Sequence, residues 1–315
     1  MLFKPQLTGI TIYPVKSLDG IAVSEASVLQ QGSLANDRRW RLVDEENQVI
    51  NAKRSPALHT IRAEYELCSR DESQAHNESS YSSFITLSVD DSSVANRTHY
   101  LPETFPIIPG GEGPCEWFSD ILHRRVFLQE SAIGGFPDDC DSAGPTIISS
   151  ETIAEVASWF ELSIGETRRR FRGNLELSLR VDAESEDGHD MSGPFWEDLL
   201  SHSAAPSAVE LHPEPGMIFP EQLPGGGRVL SFGELAFRGT SICRRCVVPT
   251  RDSLTGFEDK LFRDIFETRR GHMIRPEVNV QNWSNYFRLG VNLVVENEQS
   301  RGDRSIRLLQ QVVVA

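Results

Sequence analysis

Along roughly the first 130 residues the apolar positions fall in short runs rather than at helical spacing. Gly9-Ile10-Thr11-Ile12-Tyr13-Pro14-Val15 is rich in β-branched residues and predicts a strand. Ile21-Ala22-Val23, Glu25 to Leu29 and Arg39 to Val43 predict three more, and Val49-Ile50 resumes after the polar turn Asp44-Glu45-Glu46-Asn47. This rhythm of short strands and turns predicts an antiparallel sheet or barrel. Cys68 to Tyr100 is serine-rich and acidic, with an apolar alternation at Phe84 to Leu87, and reads as a hairpin with long polar loops. Pro106 to Pro114 marks a connection. Helical spacing begins at Trp117, Phe118, Ile121 and Leu122. A second helix is capped by Ser149 or Ser150, presents Ile153, Val156, Ala157 and Phe160 on one face, and ends near Gly165. Leu175, Leu177 and Leu179 alternate with polar residues, as in a half-buried strand, and His202 to Gly227 reads as a long surface loop. Strands return from Val229 to Phe237, a third helix spans Glu258 to Arg270 before Gly271, and closing strands fall at Val291 to Val295 and Ile306 to Val314. The pattern is that of a β-rich α+β chain in two parts, which meet between 125 and 145.

Length agrees with two parts, since 315 residues exceed the usual domain of roughly 100–200. We divide the chain at 1–130 and 131–315. Lys and Arg number 31 against 46 Asp and Glu, a formal charge of −15. That balance excludes a general nucleic-acid binder, which needs clustered excess cations. It also makes any local basic cluster informative. No apolar stretch approaches the roughly 18–20 residues of a membrane helix. The N-terminus has no apolar leader core, so the expectation is a soluble, cytoplasmic protein. Five cysteines are too few, and odd in number, for a disulfide framework. Cys68, Cys115 and Cys140 are isolated, whereas Cys243 and Cys246 form one Cys-X-X-Cys.

Cys243-Arg244-Arg245-Cys246 has the residue types for thiolate chemistry, because flanking guanidinium groups favour thiolate over thiol. A zinc site lacks a second cysteine pair, and a thioredoxin-like couple lacks its β-α-β surroundings. Two packed core cysteines remain an open alternative. Lys16-Ser17 follows a strand end, Asp37-Arg38-Arg39-Trp40 opens another strand, and Arg172-Gly173-Asn174 precedes a third. Each taken alone reads as an ordinary turn or surface ion pair. Together they set Lys16, Arg38, Arg172, Arg244 and Arg245 at loop ends of an acidic chain, which is what a phosphate-bearing ligand beside a thiolate requires.

The ordered set Ile12-Tyr13-Pro14-Val15-Lys16-Ser17 with Gly20, Asp37 to Val43, Phe171 to Asn174, Phe195-Trp196-Glu197-Asp198, Cys243 to Cys246 with Thr250, Asp252 and Gly256, and Leu289 to Asn292 resembles the MOSC proteins with an N-terminal β-barrel domain. Their best-known members are the mitochondrial amidoxime-reducing components and bacterial relatives. The resemblance implies an N-terminal β-barrel-like domain, a C-terminal MOSC β-barrel domain with a few helices, and a pyranopterin molybdenum cofactor between them. It implies Cys246 as metal ligand and catalytic centre, with Asp252 as an acid beside it. It implies Lys16, Ser17, Arg38, Ser142, Arg172, Asn174, Arg244, Arg245 and Asn292 as cofactor contacts. The implied activity is reduction of small N-hydroxylated substrates, amidoximes or hydroxylamines, with electrons from a separate donor protein. No appended iron–sulfur domain of the kind some relatives carry is expected, which is why the donor is expected to be separate. MOSC domains are also associated with sulfur delivery, and a persulfide on Cys246 is the alternative. A third reading is a protein that stores or hands on the cofactor. The group also carries a family-level pyridoxal phosphate label. Three departures stand out. Gly173 replaces the family's usual proline, Arg244 replaces its serine, and Ser201 to Gly227 looks like an insertion.

Overall fold

The computed structural model describes residues 5–67, 83–89, 101–108, 113–138, 143–179, 193–202, 227–296 and 304–314. The chain opens with strands β1 (Gln6–Ile12), β2 (Ile21–Ala22), β3 (Glu25–Ser27), β4 (Trp40–Val43) and β5 (Val49–Ile50), then β6 (Ile61–Glu66), β7 (Phe84–Val89) and β8 (Glu103–Pro106). Helix α1 (Gly113–Leu122) and β9 (Phe127–Glu130) follow, then β10 (Thr146–Ser149), α2 (Ser150–Trp159), α3 (Ile164–Phe171) and β11 (Leu175–Ser178). The remainder is β12 (Val229–Phe232), β13 (Leu235–Arg244), α4 (Phe262–His272), β14 (Arg288–Val295), β15 (Ser305–Arg307) and β16 (Val313–Val314).

The β-rich α+β expectation holds. Eight strands form one sheet in the order β16-β12-β13-β14-β10-β11-β1-β2. Its pairs are antiparallel except β10 with β11. Those two are parallel because α2 and α3 carry the chain back between them. Smaller sheets run β5-β4-β9, β6-β7-β8 and β15-β3. Among the described residues these pairings do not close into a barrel. Strands from both sides of residue 130 share the large sheet, since β1 pairs with β11. Leu7, Ile10 and Ile12 therefore pack with Leu175, Leu177, Val291 and Leu293 in one core. A second core gathers Trp40, Leu42, Ile61, Ile85, Leu87 and Phe118. A third is aromatic and lies under the helices: Trp159, Phe171, Phe195, Phe262, Phe266 and Phe287.

Local chemistry explains the elements. Ser149 caps α2, its Oγ accepting from the Thr152 N–H. The helix stops at Trp159, and Ser163 then caps α3, which the sequence pattern misses. The buried positions of α3 are Glu166, Thr167, Arg170 and Phe171, so its inner face is ionic and shows no apolar period. Strand β13 runs on to Arg244, beyond the predicted strand, and delivers the cysteine segment to the sheet's end.

Candidate functional site

A cavity of about 680 Å³ lies where the turns after β1, the loops leading into β4 and β10, the end of α3 and the end of β13 meet. Lys16, Ser17, Arg38, Arg172, Asn174, Arg244, Arg245, Cys246 and Asn292 all line it, although they are spread over most of the chain. Ser142 lies outside the described residues. Among those described, ten Lys and Arg side chains line the cavity against three Asp, an inversion of the chain's overall acidity.

Three of these residues hold backbone conformations that side-chain-bearing residues seldom adopt: Ser17 (φ 75°), Arg38 (φ 49°) and Arg172 (φ 53°). Such strain clusters at functional sites, and here all three face one cavity. The scaffold that imposes it is visible. The Val15–Trp40 bridge is tied by Lys16 N–H to Trp40 O (2.8 Å) and Trp40 N–H to Pro14 O (3.0 Å). Arg172 is the left-handed C-cap of α3, and its guanidinium lies over the Tyr13 ring at 4.1 Å.

Asn174 is the hub. Its Nδ2 donates to Thr11 O (3.0 Å) and Asp37 Oδ1 (3.1 Å), and its Oδ1 accepts from the Thr146 N–H (3.2 Å). Asp37 also accepts from the Tyr13 N–H and pairs with Arg38. Thr146 continues the chain of contacts by donating to Asn292 Oδ1 (3.1 Å). Lys16 Nζ reaches Asp138 (2.8 Å), and Arg38 reaches the same carboxylate (3.4 Å). Asp138 is exposed at its outer face; desolvation on its cavity side works to raise the carboxyl, but Arg38 and Lys16 outweigh it and hold it below its usual range.

The arginines are not equivalent. Arg245 has its fork filled by backbone, donating to Leu289 O and Phe171 O at 2.6–2.9 Å. It clamps α3 to β14 while lining the cavity. Arg169 and Arg170 share the single Glu166 carboxylate (2.9 and 2.6 Å). Arg172, Arg244 and Arg288 have no carboxylate within ion-pair distance among the described residues. Cys246 is exposed and Cys243 half-buried, both as free thiols. Asp252, expected as an acid beside the cysteine, is not among the lining residues. Its Oδ1 accepts from Leu254 N–H, Thr255 N–H and Thr255 Oγ1 at 2.9–3.1 Å, so it shapes its own turn.

His59 and Arg288 are among the lining residues that escape sequence reasoning. His59, on the 3-10 turn Pro56–Thr60, is buried against the cavity. Burial, then the charges of Arg251, Arg172 and Arg62, push its imidazole down to about 4, so it is neutral at pH 7. Arg288 opens β14. A solitary histidine and an arginine in a polar stretch carry no signal in sequence. At Gly173 an added Cβ meets the Ile148 side chain at 2.7 Å, so here the chain turns under Ile148 in space a proline ring would contest.

The chain is thus a β-rich protein that presents an exposed thiol to a cationic cavity. Residues 4–125 match the model of the MOSC N-terminal beta barrel domain. Among solved structures it is similar to the YUAD protein from Bacillus subtilis at 9% identity, covering 100% of this chain and 97% of that chain with a TM-score of 0.36. No curated protein sequence matches it. No helix among the described residues is long and apolar enough to cross a membrane.

Proposed function

We propose that this protein is a MOSC-domain molybdenum-cofactor oxidoreductase that reduces small N-hydroxylated substrates, with electrons from a separate donor protein. The observation that carries the reading is the convergence of Lys16, Arg38, Arg172, Asn174, Asn292 and Cys246 on one cavity rich in cations. The donor set suits a pyranopterin cofactor. The volume is that of small-molecule sites, the thiol of Cys246 is a soft ligand, and the arginines match a phosphate. When bound, the cofactor supplies the two-electron oxygen-atom chemistry that reduction of an N–OH group needs.

The chain's own residues hold and orient. Cys246 ligates the metal. Lys16 and Arg38, which share the exposed Asp138, would hold the phosphate, and Arg172, stacked on Tyr13, would add a charge with no carboxylate paired to it among the described residues. Asn174 and Asn292 fix the floor through Thr146. Neutral His59 adds no further positive charge.

The test is molybdenum and pterin content of protein purified from a host that makes the cofactor, with turnover of an amidoxime by a chemical reductant. About one molybdenum per chain, the stoichiometry of a single cysteine-ligated site, lost in Cys246→Ala, supports the reading. Full metal retention in that variant sinks Cys246 as ligand. No metal and no pterin, in a host that loads a related enzyme, points to a persulfide carrier on Cys246. Metal and pterin without turnover point to a storage protein.

A further inference from the structure

Arg244 and Arg288 are cross-strand partners at the ends of β13 and β14. Residues directly opposite in an antiparallel pair project from the same face, and like charges so placed repel. Both line the cavity, and neither has a carboxylate within ion-pair distance among the described residues. Arg288 is held in place by other means: its Nη1 donates to Ile242 O (3.2 Å) and its guanidinium lies 4.9 Å over Trp283. Burial and then the neighbouring Arg244 charge lower the pKa of Arg288, with Cys243 opposing them. Arg244 is exposed.

The pair is set apart from the Lys16–Arg38 group. Asn292, which joins that group through Thr146, lies four residues further along β14, at most about 13 Å at ~3.3 Å per residue because the register shifts between them.

We infer that Arg244 and Arg288 form an anion subsite beside Cys243 and Cys246, which takes a carboxylate or similar anionic group of the substrate. This rests on the oxidoreductase reading above and narrows its substrates to anionic N-hydroxylated compounds. Two guanidinium forks on one face suit planar, bidentate recognition of such a group. Binding it also relieves the repulsion that the bare pair carries.

The test compares 4-carboxybenzamidoxime with neutral benzamidoxime, on protein as purified, with its molybdenum content measured. Calorimetric binding and KM are read for wild type, Arg288→Gln and Arg288→Lys. The expected result is a preference for the carboxylated compound that falls about tenfold in Arg288→Gln, the scale of one charge-assisted hydrogen bond, and is largely kept in Arg288→Lys. Equal binding of both compounds by metal-loaded wild type overturns the subsite and leaves the oxidoreductase reading standing. A loss of molybdenum in Arg288→Gln also overturns it, because the pair then holds the cofactor's phosphate. Wild type with neither metal nor turnover of either compound overturns both readings together.

Discussion

Glu197 sits on the 3-10 turn Trp196–Ser201, fully buried, and supports the start of α2 from beneath. Its Oε1 accepts from Ser149 N–H (3.3 Å) and its Oε2 from Thr152 Oγ1 (2.9 Å). Its neighbour Asp198 pairs with Arg270, both at zero exposure, so the local cation is already committed. Burial first, and then the Asp198 charge, push the Glu197 carboxyl up to about 7, against an ordinary value of 4.5. The folded state therefore binds a proton that the unfolded chain releases between those values. Stability from this group is full below about 4.5 and is lost as pH rises through about 7. At roughly 1.4 kcal/mol per pH unit, the loss is about 3 kcal/mol. Glu197→Gln mimics the protonated form and removes the dependence. In urea unfolding, the two proteins are expected to match near pH 4.5, with the variant more stable by up to about 3 kcal/mol at pH 8. Titrating groups remote from Glu197 cancel in the difference between the two proteins. A difference that stays constant from pH 4.5 to 8 refutes the reasoning.

Glu166 gives the opposite sign. Burial opposes ionisation, but the hydrogen bonds from Ser253 and Arg170 hold its carboxyl down at about 2, so its stabilisation is present above 4.5 and lost as pH falls toward 2. Glu166→Gln leaves the buried Arg170 with only the more distant Asp252 carboxylate (3.7 Å) and is expected to cost about 3 kcal/mol at pH 7, with the deficit against wild type shrinking near pH 3. Gly256 has φ +72°, and a Cβ there meets Pro56 O at 2.6 Å. Gly256→Ala is expected to lower stability by about 1–3 kcal/mol in thermal melts, by prising the loop after Cys246 from the Pro56–Thr60 turn. Ser149→Ala removes the α2 cap and is expected to cost about 1 kcal/mol in the same assay. Without ligand, Arg288→Gln should raise the midpoint slightly, by the ~0.2–1 kcal/mol of a relieved like-charge pair. A fall instead argues that Arg288 is needed for the strand end itself.

Local pattern was enough for most elements. The β-branched run became β1, the Arg39 to Val43 run became β4, the Ile153–Val156–Ala157 face became α2, and Leu175–Leu177 became β11. Short apolar periods survive translation into structure because one face of each element must be buried whatever its neighbours are. The segments that the family resemblance marks could likewise be read residue by residue. What sequence could not supply was how those segments share space, or how their donors are spent. Helix α3 was hidden because its buried face is an ion-pair network, which has no apolar period. Arg245 and Arg172 look alike in the chain, yet one has its fork filled by Leu289 and Phe171 carbonyls and the other has no carboxylate partner among the described residues. Asp252 stands six residues past the cysteine in sequence, and only the structure shows that one of its carboxylate oxygens closes its own turn while the other lies 3.7 Å from Arg170. Arg288 became a site residue only because β14 lies beside β13 in a register that sets it against Arg244, 44 positions earlier in sequence. Charge balance at a point depends on every group within a Debye length or so, and those groups come from all over the chain, so only the tertiary structure decides it.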